Sequence, residues 1–210
     1  MKLIDIIITI ICSEAGALVF ADFLKEYDRF QIIKWVLLFI IPILAIVALW
    51  LADLVGKKYR FVIEIVKYFL IGVLSVLVDL KIFAFFTWMI GLEIVIVAGF
   101  SKAISFLSAV FVKFVGNKYW TFEEKNTKKI ENEILRFILV TFVGLLIDVG
   151  SFYYFSRVLG SQFGLPAEAW VKMSIVMAAI IAAVWNFLSY KFIVFKKEKI
   201  EQNDSFISQI

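Results

Sequence analysis

The chain has 210 residues, 63 % of them hydrophobic and 19 % charged, with a formal net charge of +4. An apolar share that far above the roughly 45–50 % of soluble domains excludes an ordinary water-soluble fold and points to an integral membrane protein. The single cysteine, Cys12, excludes an internal disulfide, and a chain without histidine lacks the side chain most used for metal ligation and for proton exchange near neutral pH. No metal site, cofactor or catalytic residue is therefore expected. The basic residues stand at the ends of apolar runs without forming a continuous basic face, so they read as membrane anchors and not as a nucleic-acid surface.

A spanning helix needs about 20 mainly apolar residues. The first candidate, residues 3–24, carries Asp5, Glu14 and Asp22 on different helical faces. Its start resembles a signal peptide, but Asp5 inside the would-be apolar region argues for an uncleaved helix. Five further runs follow at residues 32–55, 68–92, 94–115, 137–159 and 170–190. The expected fold is an all-α membrane protein with six transmembrane helices, or five if residues 3–24 do not span. Residues 117–133 form the one long polar connection and read as a cytoplasmic surface linker. The tail at 197–210 is polar, lacks an apolar stripe and is expected to be frayed.

Thirteen of the twenty-two Lys and Arg residues fall in three short segments, at 57–67, 118–136 and 191–199. None lies between Lys81 and Lys102 or between Arg157 and Lys172. The positive-inside rule puts the three basic segments in the cytoplasm, and with them the C-terminus and the N-terminus, in a multi-pass protein of the cytoplasmic (inner) membrane. The loop at 25–34, with three cations and two acids, would then be external, a mild conflict with the rule.

The last four helices repeat. KYFLIGVLSVLVDLKIF at 67–83 matches RFILVTFVGLLIDVGSF at 136–152, an offset of 69 residues, and each copy carries an aspartate twelve residues in, Asp79 or Asp148. The organisation expected is an N-terminal extension at 1–60 with one or two spans, a first repeat at 63–123, a linker at 123–133 and a second repeat at 134–196. Both hairpins leave and re-enter the cytoplasm in the same sense, so a pseudo-twofold along the membrane normal is expected.

A carboxylate deep in an apolar helix is expensive and usually functional or paired. Asp79 continues a line of small residues, Gly72 and Ser75, and Asp148 continues Thr141 and Gly144. Small residues alone read as a packing seam; the aspartates, with Ser75 and Thr141, read as a supporting polar seam. The second helices carry Lys102 with Lys113 and Lys172 with Asn186. Asp79 lies roughly 18 Å along its helix from Lys67, and Lys113 roughly 7 Å in from Lys118 with its side chain tilted toward the membrane centre. This predicts an Asp79–Lys113 ion pair and an Asp148–Asn186 hydrogen bond, with Lys102 and Lys172 higher and open to an anion, or snorkelling to the interface. Lys102, Lys172, Lys113 and Asn186 are thus the candidate lipid-phosphate-binding residues.

Each hairpin ends in an aromatic-basic signature, GNKYWTF at 116–122 and WNFLSYKFIVF at 185–195. With the cation-aromatic start and the aspartate, this resembles the GtrA family of small membrane proteins over residues 63–195. The family exit pattern, N-F-L-x-N-[RK]-x-W-T-F, is met in one repeat by Asn117, Lys118, Trp120, Thr121 and Phe122 and in the other by Asn186, Phe187, Leu188 and Lys191. The first repeat departs from it, with Lys113 where the pattern has asparagine. Lys67, Arg136, Asn117, Lys118, Trp120 and Lys191 are expected at the cytoplasmic interface.

The resemblance implies a role in cell-surface polysaccharide or glycan synthesis, with a polyprenyl-phosphate sugar and membrane lipid as partners. It admits a translocase or, alternatively, a non-transporting anchor for a glycosyltransferase. A proton-coupled multidrug exporter using the two aspartates is a third reading. A homo-oligomer is compatible with any of them. With no nucleotide-binding loop and no sizeable soluble domain, the chain is not expected to be an enzyme.

Overall fold

The computed structural model describes residues 2–23, 31–90, 95–127, 129–162, 164 and 166–196. Most of the external loop expected at 25–34 and the tail at 197–210 lie outside them. The elements are α1 (Leu3–Phe23), α2 (Gln31–Gly56), α3 (Arg60–Ile90), α4 (Val95–Gly116), α5 (Ile130–Tyr153) and α6 (Ala167–Ser189). Short π-helical turns at Asn117–Thr121, Tyr154–Leu159 and Tyr190–Val194 continue α4, α5 and α6. There is no strand among the described residues. Among the described residues, five helical stretches are long and apolar enough to cross a membrane: Trp35–Gly56, Arg60–Ile90, Phe100–Thr121, Ile130–Leu159 and Met173–Val194. The chain is an all-α membrane protein.

The burial pattern is inverted relative to a soluble bundle. Trp88, Phe39 and Phe111 point outward, whereas Thr9, Ser101, Ser105 and Ser174 are fully buried. In lipid the apolar face gains nothing by turning inward, and small or hydroxyl residues allow close helix approach. Along α1 the buried residues are Asp5, Thr9, Cys12, Ser13, Ala15, Ala17 and Ala21, a broad seam that covers more than half of the helix circumference. A Cβ on Gly16 would stand 2.9 Å from Val73 Cγ1, so α1 lies tightly on α3 at that point.

The chain forms two compact units, Met1–Lys125 and Asn126–Ile210. In the first, α1 and α2 pack on each other and both pack on α3, which pairs with α4. The N-terminal extension is therefore built into the first hairpin. In the second unit α5 pairs with α6.

Both long helices start earlier than hydropathy suggests, α3 at Arg60 and α5 at Ile130. The expected linker is correspondingly shorter. Residues Asn117, Lys118, Trp120, Thr121 and Phe122 are buried, so this stretch is a packed helical exit and not a surface linker. Its polar letters misled because Asn117 bonds the backbone of its own helix: its Nδ2 donates to the Lys113 carbonyl at 2.8 Å.

Candidate functional site

The two hairpins superpose in sequence at 69 residues on their first helices but at 73 on their exits, since the π turns begin at Asn117 and Tyr190. Burial follows that second offset closely. Phe114 and Phe187, Asn117 and Tyr190, and Phe122 and Phe195 are buried pairs, as are Ser101 and Ser174. Four extra residues thus lie in the connection of the second hairpin, and π turns of this kind often mark functional positions.

At the helix-start end of the first unit, Asp5 is the centre of a buried cluster. Lys67 Nζ lies 2.6 Å from Asp5 Oδ1, and the two side chains are only 5 % and 7 % exposed. Trp120 Nε1 donates to the same oxygen at 2.9 Å, and the Lys2 backbone N–H donates to Oδ2 at 3.0 Å. The Lys67 ammonium also lies over the Trp120 ring, 5.2 Å from its centroid. Glu123, whose φ of 52° puts a non-glycine residue in the left-handed region, ends the exit turn. Its carboxylate receives Arg60 at 2.7 Å and stands 3.9 Å from Lys67. Lys2, Asp53 and Glu64 complete a cleft of mixed charge here.

Deeper in the same hairpin, Asp79 is bound by Lys102 Nζ at 2.6 Å and by the Ser105 hydroxyl at 2.7 Å. The expected Asp79–Lys113 pair is thus corrected: the partner is Lys102, which the sequence placed too high. The reason is the direction in which the carboxylate reaches. Gly116 seats against Ile71, and Lys67 stands beside Trp120, so in this antiparallel pair Asp79 is level with about residue 108, and its carboxylate turns to Lys102 and Ser105, away from Lys113. Lys113 lies about two helical turns beyond Ser105. The Lys102 side chain remains 55 % exposed. On another face of α3, Lys81 lines an otherwise apolar groove with Leu77, Val78, Ile82, Phe85 and Phe86, and with Ile104 and Ser108 of α4.

The second hairpin is arranged differently. Phe137 stacks on Tyr190 with ring centroids 4.6 Å apart, and Phe195 closes against both. The Tyr190 hydroxyl and Thr141 Oγ1 are 2.7 Å apart, and Trp185 Nε1 donates to the Val140 carbonyl at 3.2 Å. In this register Asn186 lies on Gly144, whose hydrogen leaves room for the amide; a Cβ there would overlap Oδ1. The expected Asp148–Asn186 bond is corrected accordingly, because Asp148 is a turn further along. Asn186 Oδ1 is buried with no hydrogen-bond partner among the described residues. Asp148 likewise forms no hydrogen bond or ion pair with another described residue. At the 73-residue offset, Lys102 and Ser105 correspond to Ile175 and Ala178, so the groups that hold Asp79 are apolar here. The Lys172 side chain lies outside the described residues.

Arg136, the counterpart of Lys67, is exposed and donates from Nη1 to the Ile193 carbonyl at 3.3 Å. Lys191 is half-buried beside it in sequence register, whereas Lys118 and Asn117 of the first exit are fully buried. Ser75 is buried and bonds the Gly72 carbonyl at 2.7 Å, serving its own helix. Sequence reasoning missed Asp5. The seam of small and polar residues along α1 was the available signal that one face of this helix is buried.

A family model for the GtrA/DPMS transmembrane domain matches residues 67–195. No curated protein and no solved structure matches the chain.

Proposed function

Because the chain belongs to the GtrA/DPMS transmembrane-domain family, we propose that it binds a polyprenyl-phosphate-linked sugar and carries it across the cytoplasmic membrane for cell-surface polysaccharide or glycan synthesis. The observation that carries this reading is the Asp79–Lys102–Ser105 cluster on an apolar hairpin. An ammonium has three donors and Asp79 takes one direction only, so the exposed side of Lys102 remains available to the oxygens of a ligand. The groove along Lys81 and Ser108 suits an isoprenoid chain bearing a polar head, being apolar with two hydrogen-bonding groups on its wall. Asn186, with its unpartnered amide oxygen, offers an acceptor to a sugar hydroxyl in the other hairpin. Lys113 stays a candidate in the first hairpin and Lys172 in the second.

The reading is of a carrier that works beside an enzyme supplied by another chain. Pairing of Asp79 with Lys102 disfavours a proton-coupled cation exporter, which needs its carboxylate free to exchange. The exposed cations Lys57, Lys58 and Arg60 favour the alternative of an anchor that recruits a glycosyltransferase. Reconstituted vesicles containing a labelled polyprenyl-phosphate sugar separate the two. Protein-dependent transbilayer movement, reduced by Lys102→Ala, is expected. Folded protein that moves nothing while retaining a bound glycosyltransferase would establish the anchor instead.

A further inference from the structure

We infer that the two hairpins divide the work: the phosphate of the lipid ligand docks at Arg136 in the second, while Lys67, its counterpart in the first, is reserved by Asp5 of the N-terminal extension. This rests on the reading of the ligand as an anionic lipid and assigns its phosphate to Arg136, so that Lys102 is left to meet the oxygens of the sugar.

Lys67 has its charge met from three sides. Asp5 Oδ1 is 2.6 Å away, Glu123 Oε1 is 3.9 Å away, and the Trp120 ring lies 5.2 Å beneath it. A phosphate reaching its buried ammonium would have to enter between two carboxylates. Asp5 comes from α1, outside the residues that match the family model. The extension therefore converts the first cation into part of the scaffold.

Arg136 occupies the corresponding place on α5 and is treated in the opposite way. It is exposed, its single described contact is the Ile193 carbonyl, and it forms no ion pair with another described residue. That contact orients the guanidinium while leaving most of its donor fork unused, and the fork matches the oxygens of a phosphate bidentately. The next residue, Phe137, packs against Tyr190 and Phe195, which fixes this part of α5 against the exit turn. The intramembrane residues repeat the asymmetry, since Asp79 is held by Lys102 and Ser105 whereas the matching positions near Asp148 are Ile175 and Ala178.

The test uses the full chain in phosphatidylcholine nanodiscs, with farnesyl phosphate as probe and inorganic phosphate as the tailless control, read by titration calorimetry. Arg136→Gln should weaken farnesyl phosphate binding about tenfold or more, the loss expected for one charge-assisted contact. The paired variant Asp5→Asn/Lys67→Gln, which removes both charges together, should stay within about twofold of the unaltered protein. Farnesyl phosphate should also protect Arg136, but not Arg60, from phenylglyoxal in the unaltered chain, so the outcome does not depend on any variant folding. Inorganic phosphate should bind about tenfold more weakly; equal binding would reassign the site to free anions. Absence of binding, unchanged affinity in Arg136→Gln, an equal loss in the paired variant, or unprotected Arg136 would each overturn the inference. Arg136-dependent binding without transbilayer movement would count against transport alone, and movement indifferent to Arg136 against this division alone.

Discussion

The Asp5–Lys67 pair makes a quantitative demand on the extension. Its side chains are 7 % and 5 % exposed, and removing one member of such a buried pair leaves an unmatched charge at a cost of roughly 3–5 kcal/mol. Asp5→Asn should fall at the lower end. Lys67 keeps the Trp120 ring at 5.2 Å and Glu123 at 3.9 Å, and a partly desolvated cation–π contact retains about 1–2 kcal/mol. Lys67→Gln should also cost about 3 kcal/mol, because Asp5 then keeps only the Trp120 and Lys2 N–H groups. The paired Asp5→Asn/Lys67→Gln change leaves no buried charge, and the asparagine oxygen still accepts from Trp120 Nε1, so about 1 kcal/mol should be lost. The assay is reversible SDS unfolding of the purified protein, followed by Trp120 emission with a Trp120→Phe control to isolate that signal. The cycle should give a coupling of at least about 2 kcal/mol. Additive single costs, or a paired variant worse than either single, would refute a mutually compensated pair.

Gly144→Ala should destabilise by about 1–3 kcal/mol because the new methyl overlaps the Asn186 amide, whereas Gly150→Ala, with nothing within 4 Å, should be neutral or stabilising by up to about 1 kcal/mol; thermal denaturation in detergent checks both. Asp79→Asn should cost about 1–2 kcal/mol, below the range for fully buried pairs because Lys102 is more than half exposed, while Asp148→Asn should leave stability unchanged within about 0.5 kcal/mol. Equal losses in SDS unfolding would remove the proposed difference between the two aspartates. Trp170→Phe should lose about 1 kcal/mol through the missing Nε1 bond to the Phe155 carbonyl at 2.9 Å, seen as a lower unfolding midpoint.

The helices and the paired aspartates were legible because both are local. A run of about 20 apolar residues and a carboxylate within it need no partner to be recognised. Register was not legible. It is set by contacts such as Gly116 on Ile71 and Asn186 on Gly144, where the size of a single side chain decides the fit. Depth arithmetic from the anchoring cations left Asp79 and Lys113 about 11 Å apart and closed the gap by side-chain tilt, whereas the Asp79 carboxylate turns the other way, to Lys102 and Ser105. The Asp5 contacts were beyond periodicity altogether, since Asp5 and Trp120 are 115 positions apart in the chain. The exit turns were misread because Asn117 and Thr121 are polar by letter yet buried.

The two offsets give the asymmetry a physical origin. If the hairpins matched at 69 throughout, Ser105 would correspond to Ser174, and both aspartates could face a serine on the opposing helix. The π turns instead align at 73, and burial agrees: Ser101 matches Ser174, and Ser105 matches Ala178. Lengthening the second connection by four residues, about one helical turn, can preserve which face of α6 meets α5 while changing which residue meets Asp148. A carboxylate that is held by a cation and a hydroxyl in one copy thereby has apolar residues at the matching positions in the other. The cations at the helix starts diverge in the same sense, Lys67 buried by an added helix and Arg136 left exposed. Restoring the missing partners tests the connection between these differences. Ile175→Lys with Ala178→Ser should supply Asp148 with the groups that hold Asp79, raising the unfolding midpoint if the 73-residue register is correct. Val171→Lys, which with the Ser174 already present reproduces the pair in the 69-residue register, should not raise it.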